Sequence, residues 1–365
     1  MKLRVSKENL LKGLQTVYPA VPSRSTLPIL SHLLIEAKKE GVQITGTDLE
    51  LGISTILPAE VSEEGAIAVP AKRFMDLVKE LPNESLLITA KKNQQVNIEC
   101  GRGSFKILGL PKEEFPKPPA SAGQDTIVID QGVLQSMLSL TEFSVSKDES
   151  RYVLTGVLFT TRKGWLRLVS TDGRRMAMVE REAKSAPAGE SHRIVPEKAI
   201  SELMRLLGDA PTVRIALKES QILFDMGSTV LISRLIEGKF PNYEQVIPAE
   251  SPNKMMVSRE ELLLATRRIG LWSTQDSPSV RLDLKTDELV ISKQTPEVGE
   301  AHEQVKVQYA GPEFSIGFNP SYLIDVLKVL TDGSVELELP GPDRPGVIRT
   351  KDHYLYVVLP MQLSN

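Results

Sequence analysis

Within Pro70–Leu81, PAKRFMDLVKEL, the apolar residues Phe74, Leu77, Val78 and Leu81 fall at i, i+3, i+4 and i+7. One apolar stripe at that spacing predicts an amphipathic helix. The pattern returns at Pro196–Leu207 and Pro320–Leu330, at offsets of 126 and 124 residues. Phe74, Ile200 and Ile324 line up across the copies, as do Leu77, Leu203 and Leu327. Each copy opens on proline, whose missing N–H costs nothing at a first helical position. A period this long exceeds a solenoid unit and matches a domain.

The rest of the chain repeats with it. Further helices are predicted at Ser6–Val17, Asp130–Leu140 and Ser258–Ile269; Ser6 caps the first, and Ser258 with Glu261 forms a capping box. Short alternating or apolar runs between them read as strands separated by Gly-containing or polar turns. The two helices of a domain start 64, 66 and 62 residues apart, so the chain reads as six half-units of strand, helix and three strands. Each half-unit needs a partner to cover its sheet and its helix stripe. The fold class expected is therefore α+β, with three similar two-layer domains of mostly antiparallel strands at 1–122, 125–250 and 253–365. Linkers are expected at Lys117–Gln124 and Pro248–Asn253.

Composition narrows the function. With 41% hydrophobic and 25% charged residues the chain is ordinary globular material. A net charge of −3 argues against a generally basic nucleic-acid binder, so any DNA role must use local charge. The six predicted helices carry 11 Lys/Arg against 9 Asp/Glu, a net +2. Lys72 and Lys79, with Asp76 between them, lie opposite the apolar stripe, and Lys198 and Arg205 do the same around Glu202. A solvated face with pairs such as Lys72–Asp76 is the plain alternative. The first ten residues hold no apolar leader and no long apolar run follows, which reads as a cytoplasmic chain without a membrane segment.

Catalytic signatures are absent. There is no P-loop and no Gly-rich strand-to-helix turn. His32, His192, His302 and His353 lack metal-ligand spacing, so neither metal nor cofactor is expected. Cys100, in a predicted strand, reads as a buried structural thiol. Thr47–Asp48 and Thr171–Asp172 occupy matching places and read as turns whose Asp bonds its own backbone. An enzyme using Asp172 with Arg174 or Arg175 is a rival without an orienting third group.

Several motifs, in order from end to end, carry a resemblance: RSTLPIL (Arg24–Leu30), TGTDLEL (Thr45–Leu51), VPAKRF (Val69–Phe74), TDGRRM (Thr171–Met176), FPNYEQVIP (Phe240–Pro248), GFNPSYLIDVL (Gly317–Leu327) and YVVLPMQL (Tyr356–Leu363). Over essentially its full length the chain resembles the bacterial sliding clamps, the beta subunits of DNA polymerase III. That resemblance implies a non-catalytic processivity factor. It would be a head-to-tail homodimeric ring around double-stranded DNA, with helices lining the hole and sheets outside. Implied partners are the DNA polymerase III alpha subunit, the clamp-loader complex, and other polymerases and repair proteins carrying clamp-binding peptides. A monomeric peptide-binding scaffold that never surrounds DNA is the alternative.

The resemblance also assigns residues. A partner-peptide groove would use Leu154, Thr171, Gly173, Arg174, Arg175, Met176, Pro241, Val246, Asn319, Tyr322, Val347, Val358, Leu359, Pro360, Met361 and Leu363. Arg174 stands where relatives often have His, and Gln245 where some have Arg. Apolar walls would take hydrophobic anchors while Thr, Arg and Asn orient the peptide backbone. DNA contacts would come from Arg24, Lys72, Arg73, Lys79, Lys147, Arg151, Tyr152, Lys198 and Arg205. The subunit interface would bring Arg102, Phe105, Lys106, Ile107 and Leu108 against Leu271, Trp272, Glu297, Glu300 and Glu303.

Overall fold

The computed structural model describes residues 1–116, 126–162, 164–183, 185–186, 189–208, 211–296 and 298–363. Six α-helices stand where the periodicity places them: α1 (Lys7–Val17), α2 (Ala71–Glu80), α3 (Gln131–Ser139), α4 (Glu197–Leu206), α5 (Arg259–Gly270) and α6 (Pro320–Val329). Ser6 and Ser258 cap α1 and α5 by accepting from the backbone N–H of Asn9 and Glu261. Pro320 opens α6 at its first position, whereas Pro70 and Pro196 precede the first helical residue. The buried face of α2 is Ala71, Phe74, Met75 and Val78; Met75 takes the inward place expected of Leu77, which is half-buried.

All strand pairings among the described residues are antiparallel. The family of three similar domains is visible in three isolated bridges, Ala68–Leu110, Ile194–Ile236 and Gly317–Met361. Each ties the strand ahead of a repeated helix (α2, α4, α6) to the segment that closes its repeat.

The sheets do not stop where the repeats do. The last strand of the middle repeat, Thr229–Arg234, pairs with Leu51–Leu57 of the first. The last strand of the third, Tyr354–Val358, pairs with Arg175–Glu182 of the middle one. Accordingly the chain forms two compact units, one of Met1–Gly132 with Ser201–Leu235 and one of Val133–Ile200 with Ile236–Asn365. The first unit holds α1 and α2, which pack together, a five-stranded sheet ending in Gly103–Leu108, and an eight-stranded sheet. The second holds α5 packed on α6 and a twelve-stranded sheet.

Between helices and sheets sit fully buried side chains such as Leu10, Leu14, Phe74, Phe318 and Tyr356. Each contributes about 1.5–3 kcal/mol by leaving water. Cys100 is buried at the end of its strand, and burial pushes its thiol pKa up. Lys117–Gln124 lies outside the described residues. The expected linker Pro248–Asn253 is tied to neighbouring strands by side chains. Arg349 donates to the Pro248 carbonyl at 2.7 Å, and Ser251 N–H donates to Glu338, whose carboxylate is only 1% exposed and ion-paired to Arg349 at 3.0 Å. Among the described residues no helix is long and apolar enough to cross a membrane.

Candidate functional site

The turn Thr171–Arg175 is built from its own side chains. Asp172 Oδ1 accepts from the backbone N–H of Arg174 and Arg175 at 2.9 and 3.0 Å, and Thr171 Oγ1 donates to the Arg175 carbonyl at 2.6 Å. Asp172 is thus a turn residue. Gly173 takes φ +85°, a left-handed conformation that a side chain would strain. The Arg174 carbonyl receives Leu359 N–H at 2.9 Å, which fixes the C-terminal segment to this turn.

Arg175 is the hub. It donates to Asp172 at 3.0 Å, to Asp325 on α6 at 2.8 Å and to the Phe143 carbonyl at 2.7 Å. Its guanidinium carbon lies 4.5 Å from the Tyr322 ring centroid and 5.5 Å from that of Phe143. Burial opposes its charge, but the Asp325 bond and the surrounding acids outweigh burial and hold its pKa above the ordinary arginine value. Tyr356 donates to the Tyr322 carbonyl at 2.8 Å, and burial raises its phenol pKa. Asn319 caps α6 by accepting from Ser321 N–H.

An apolar floor lies on the other face of the same strands. Leu154, Met176 and Val347 join one buried cluster with Phe240, Tyr243 and Val357. Val246 and Leu359 remain 58% and 43% exposed, and Pro241 is exposed too, so apolar surface reaches solvent beside a buried floor. Val358 does not join them. It pairs with Arg175 in register, and its Cγ1, with Phe318 and Leu339, bounds the space beside Gly346. Successive strand residues point to opposite faces, so Val357 rather than Val358 meets this cluster. Tyr354–Val358 is buried throughout, which left no alternation in the sequence to choose between them. Met361 donates to the Gly317 carbonyl at 2.8 Å, and Leu363 lies against the same glycine. Phe143, Asp325 and Tyr243 also escaped the sequence reading, because their partners are distant in the chain.

The basic helix faces are exposed. Lys72, Arg73 and Lys79 point to solvent from α2 and enter no ion pair among the described residues, so the pair expected between Lys72 and Asp76 does not form. Lys198 and Arg205 are exposed on α4; Arg205 holds Glu202 and the Thr16 carbonyl, both at 2.8 Å. In the loop, Lys147 pairs with Glu197, and Arg151 pairs with Asp148 and donates to the Asp172 carbonyl at 2.6 Å. Arg151 is thereby tied to the turn. Tyr152 and Arg24 are exposed.

Three family models match in sequence order. They are the N-terminal, central and C-terminal domains of the DNA polymerase III beta subunit, over residues 1–119, 128–242 and 244–362. The chain belongs to the DNA polymerase III beta subunit family. Its function is that family's, a DNA sliding clamp. The beta sliding clamp of Escherichia coli (strain K12) is 34% identical over 375 residues, spanning all of both chains. That of Pseudomonas aeruginosa is 36% identical over 368 residues, again across both. Among solved structures, a Pseudomonas aeruginosa clamp bound to griselimycin matches all of both chains with TM-score 0.95 at 35% identity. The Bacillus subtilis clamp matches all of both chains with TM-score 0.95 at 30% identity.

The interface candidates of this clamp lie on the edge strand Gly103–Leu108 and, in the third repeat, just after α5 and on Gly299–Gln308. In Gly103–Leu108, Phe105, Lys106 and Leu108 are exposed, as is Arg102 just before it, whereas Ile107 turns inward and is 6% exposed. In the third repeat Leu271 is exposed and Trp272 half-buried, with its carbonyl accepting from Thr295. Glu300 is exposed; Glu303 is held by Arg268 of the same chain at 2.9 Å. Glu297 lies outside the described residues.

Proposed function

We propose that this clamp works as a head-to-tail homodimeric ring around duplex DNA. It tethers the polymerase III alpha subunit, the clamp loader and other peptide-bearing replication and repair proteins through the Leu154–Met176–Val347 groove. It performs no catalysis of its own and acts in the cytoplasm.

One observation carries the reading. Each repeat ends in a strand that needs a neighbour. Thr229–Arg234 finds Leu51–Leu57, and Tyr354–Val358 finds Arg175–Glu182. Among the described residues, the end strand of the first repeat, Gly103–Leu108, pairs only with Gln95–Cys100. Among the described residues, the corresponding strand of the third repeat, Gly299–Gln308, has no such partner, and its first eight residues pair only with Glu288–Thr295. An open edge exposes unpaired backbone groups and invites another chain. A second copy placed head to tail supplies each edge with the other, and a heterologous contact that closes makes a ring. Phe105, Leu108, Leu271 and Val298 supply exposed apolar surface beside those edges.

Exposed Lys72, Arg73, Lys79 and Lys198 suit weak, register-free contact with phosphates, which holds DNA loosely enough to slide. The test is retention on nicked circular DNA. The clamp should stay on the circle and run off once the circle is cut. Equal retention on linear DNA, or a purely monomeric mass at micromolar concentration, would rule the ring out.

A further inference from the structure

The groove has a smaller copy in the first compact unit. The turn Thr47–Leu51 repeats the turn Thr171–Arg175 bond for bond. Thr47 Oγ1 donates to the Leu51 carbonyl at 2.9 Å, and Asp48 Oδ1 accepts from the N–H of Glu50 and Leu51. Arg234 N–H donates to the Glu50 carbonyl at 2.8 Å, as Leu359 does to that of Arg174. Leu34 pairs with Thr45 as Leu158 pairs with Val169, and the Ala68–Leu110 bridge matches Ile194–Ile236. Gly52 therefore stands where Met176 stands, Thr45 where Val169 stands, and Ala68 where Ile194 stands.

Smaller side chains in those places leave space. A cavity of about 200 Å³ opens on this face, lined by Thr45, Gly52, Val230 and Ile232, with exposed Leu49, Glu50 and Arg234 at its mouth. That is several times the ~30 Å³ share of one liquid water. Thr45 is only 3% exposed, so it forms part of the cavity's closed wall. At the mouth, Arg234 reaches Glu50 only at 3.8 Å, too long for a hydrogen bond.

We infer that this cavity is a second, weaker binding site for a short linear peptide. An aliphatic side chain enters between Gly52, Val230 and Ile232. A carboxylate of the same peptide meets Arg234 at the mouth. The inference stands on this cavity's own geometry and does not require the first groove to bind peptide.

The test is a methyl-resolved NMR titration of the full chain with acetyl-Ala-Leu-Asp-amide. Saturable shifts are expected at the Leu49, Val230 and Ile232 methyls. Gly52→Met should abolish them: a Cβ at Gly52 meets nothing nearer than 3.7 Å, so the methionine enters without forcing the backbone and fills the cavity. Arg234→Gln, a change on the exposed surface that leaves the core intact, should weaken binding by about tenfold through loss of a charged hydrogen bond. Removing Met361–Asn365 should leave these shifts unchanged, which separates this site from the first groove. Shifts that fail to saturate, that survive Gly52→Met, or that appear only at Val357 and Leu359 would overturn the inference.

Discussion

Arg175 lies 4.5 Å from the ring centroid of Tyr322 while donating to Asp325 on the same helix at 2.8 Å. One side chain thus fastens a strand of the middle repeat to α6 of the third. Arg175→Ala would leave Asp325 and the Phe143 carbonyl without this donor and strip Asp172 of its ion pair, though not of its backbone hydrogen bonds. Breaking a largely buried charged network in this way costs about 3–5 kcal/mol. Arg175→Lys keeps the charge but loses the planar fork, so it should fall between the two. Urea denaturation midpoints check the order wild type, Lys, Ala.

A second prediction concerns two turns of the same shape. Gly173 has φ +85° and Leu49 has φ +79°. Alanine at 173 would carry a Cβ into left-handed backbone, 2.7 Å from Arg151 Nη1, and should cost about 1–2 kcal/mol. Leu49→Gly should do the opposite and gain about 0.5–1 kcal/mol, since relief of strain exceeds the added chain entropy. Paired denaturation curves that move in the same direction would contradict this account.

Acid should loosen the edge strand that carries Glu303. The Arg268 hydrogen bond holds the Glu303 carboxyl below its ordinary pKa. A carboxylate depressed by folding contributes stability above its unfolded pKa, near ~4.3, and loses it as pH falls through the folded value. Wild type and Glu303→Gln should therefore differ in Tm at neutral pH and converge as the solution is acidified. A gap that stays constant with pH would exclude the ion pair as its source.

The C-terminal segment supplies a fourth prediction. Leu359 and Met361 are pinned by the Arg174 and Gly317 carbonyls, and Leu363 lies against Gly317. Deleting Met361–Asn365 should abolish binding of a fluorescent QLxLF-like peptide at micromolar protein while leaving the sedimented mass unchanged. Unaltered peptide affinity in the truncated chain would refute the groove assignment.

Much of this architecture was written locally. Helical spacing at Phe74, Val78 and their counterparts made six helices and the threefold repeat legible, because helical periodicity depends on residues a few positions apart, though on α2 Met75 rather than Leu77 turned inward. Thr–Asp turns were legible for the same reason: the bonding side chain and its backbone partners are neighbours. Pairing between repeats was not. Whether Thr229–Arg234 meets Leu51–Leu57, whether Val357 or Val358 faces the groove floor, and whether Gly52 opens a cavity are matters of long-range register. The uniformly apolar run Tyr354–Val358 holds no alternation from which to read it. The sequence by itself determined the elements and their count; only tertiary packing decided which strand edges were satisfied and which were left open, because backbone hydrogen bonds between strands carry no local signature in the residues that make them.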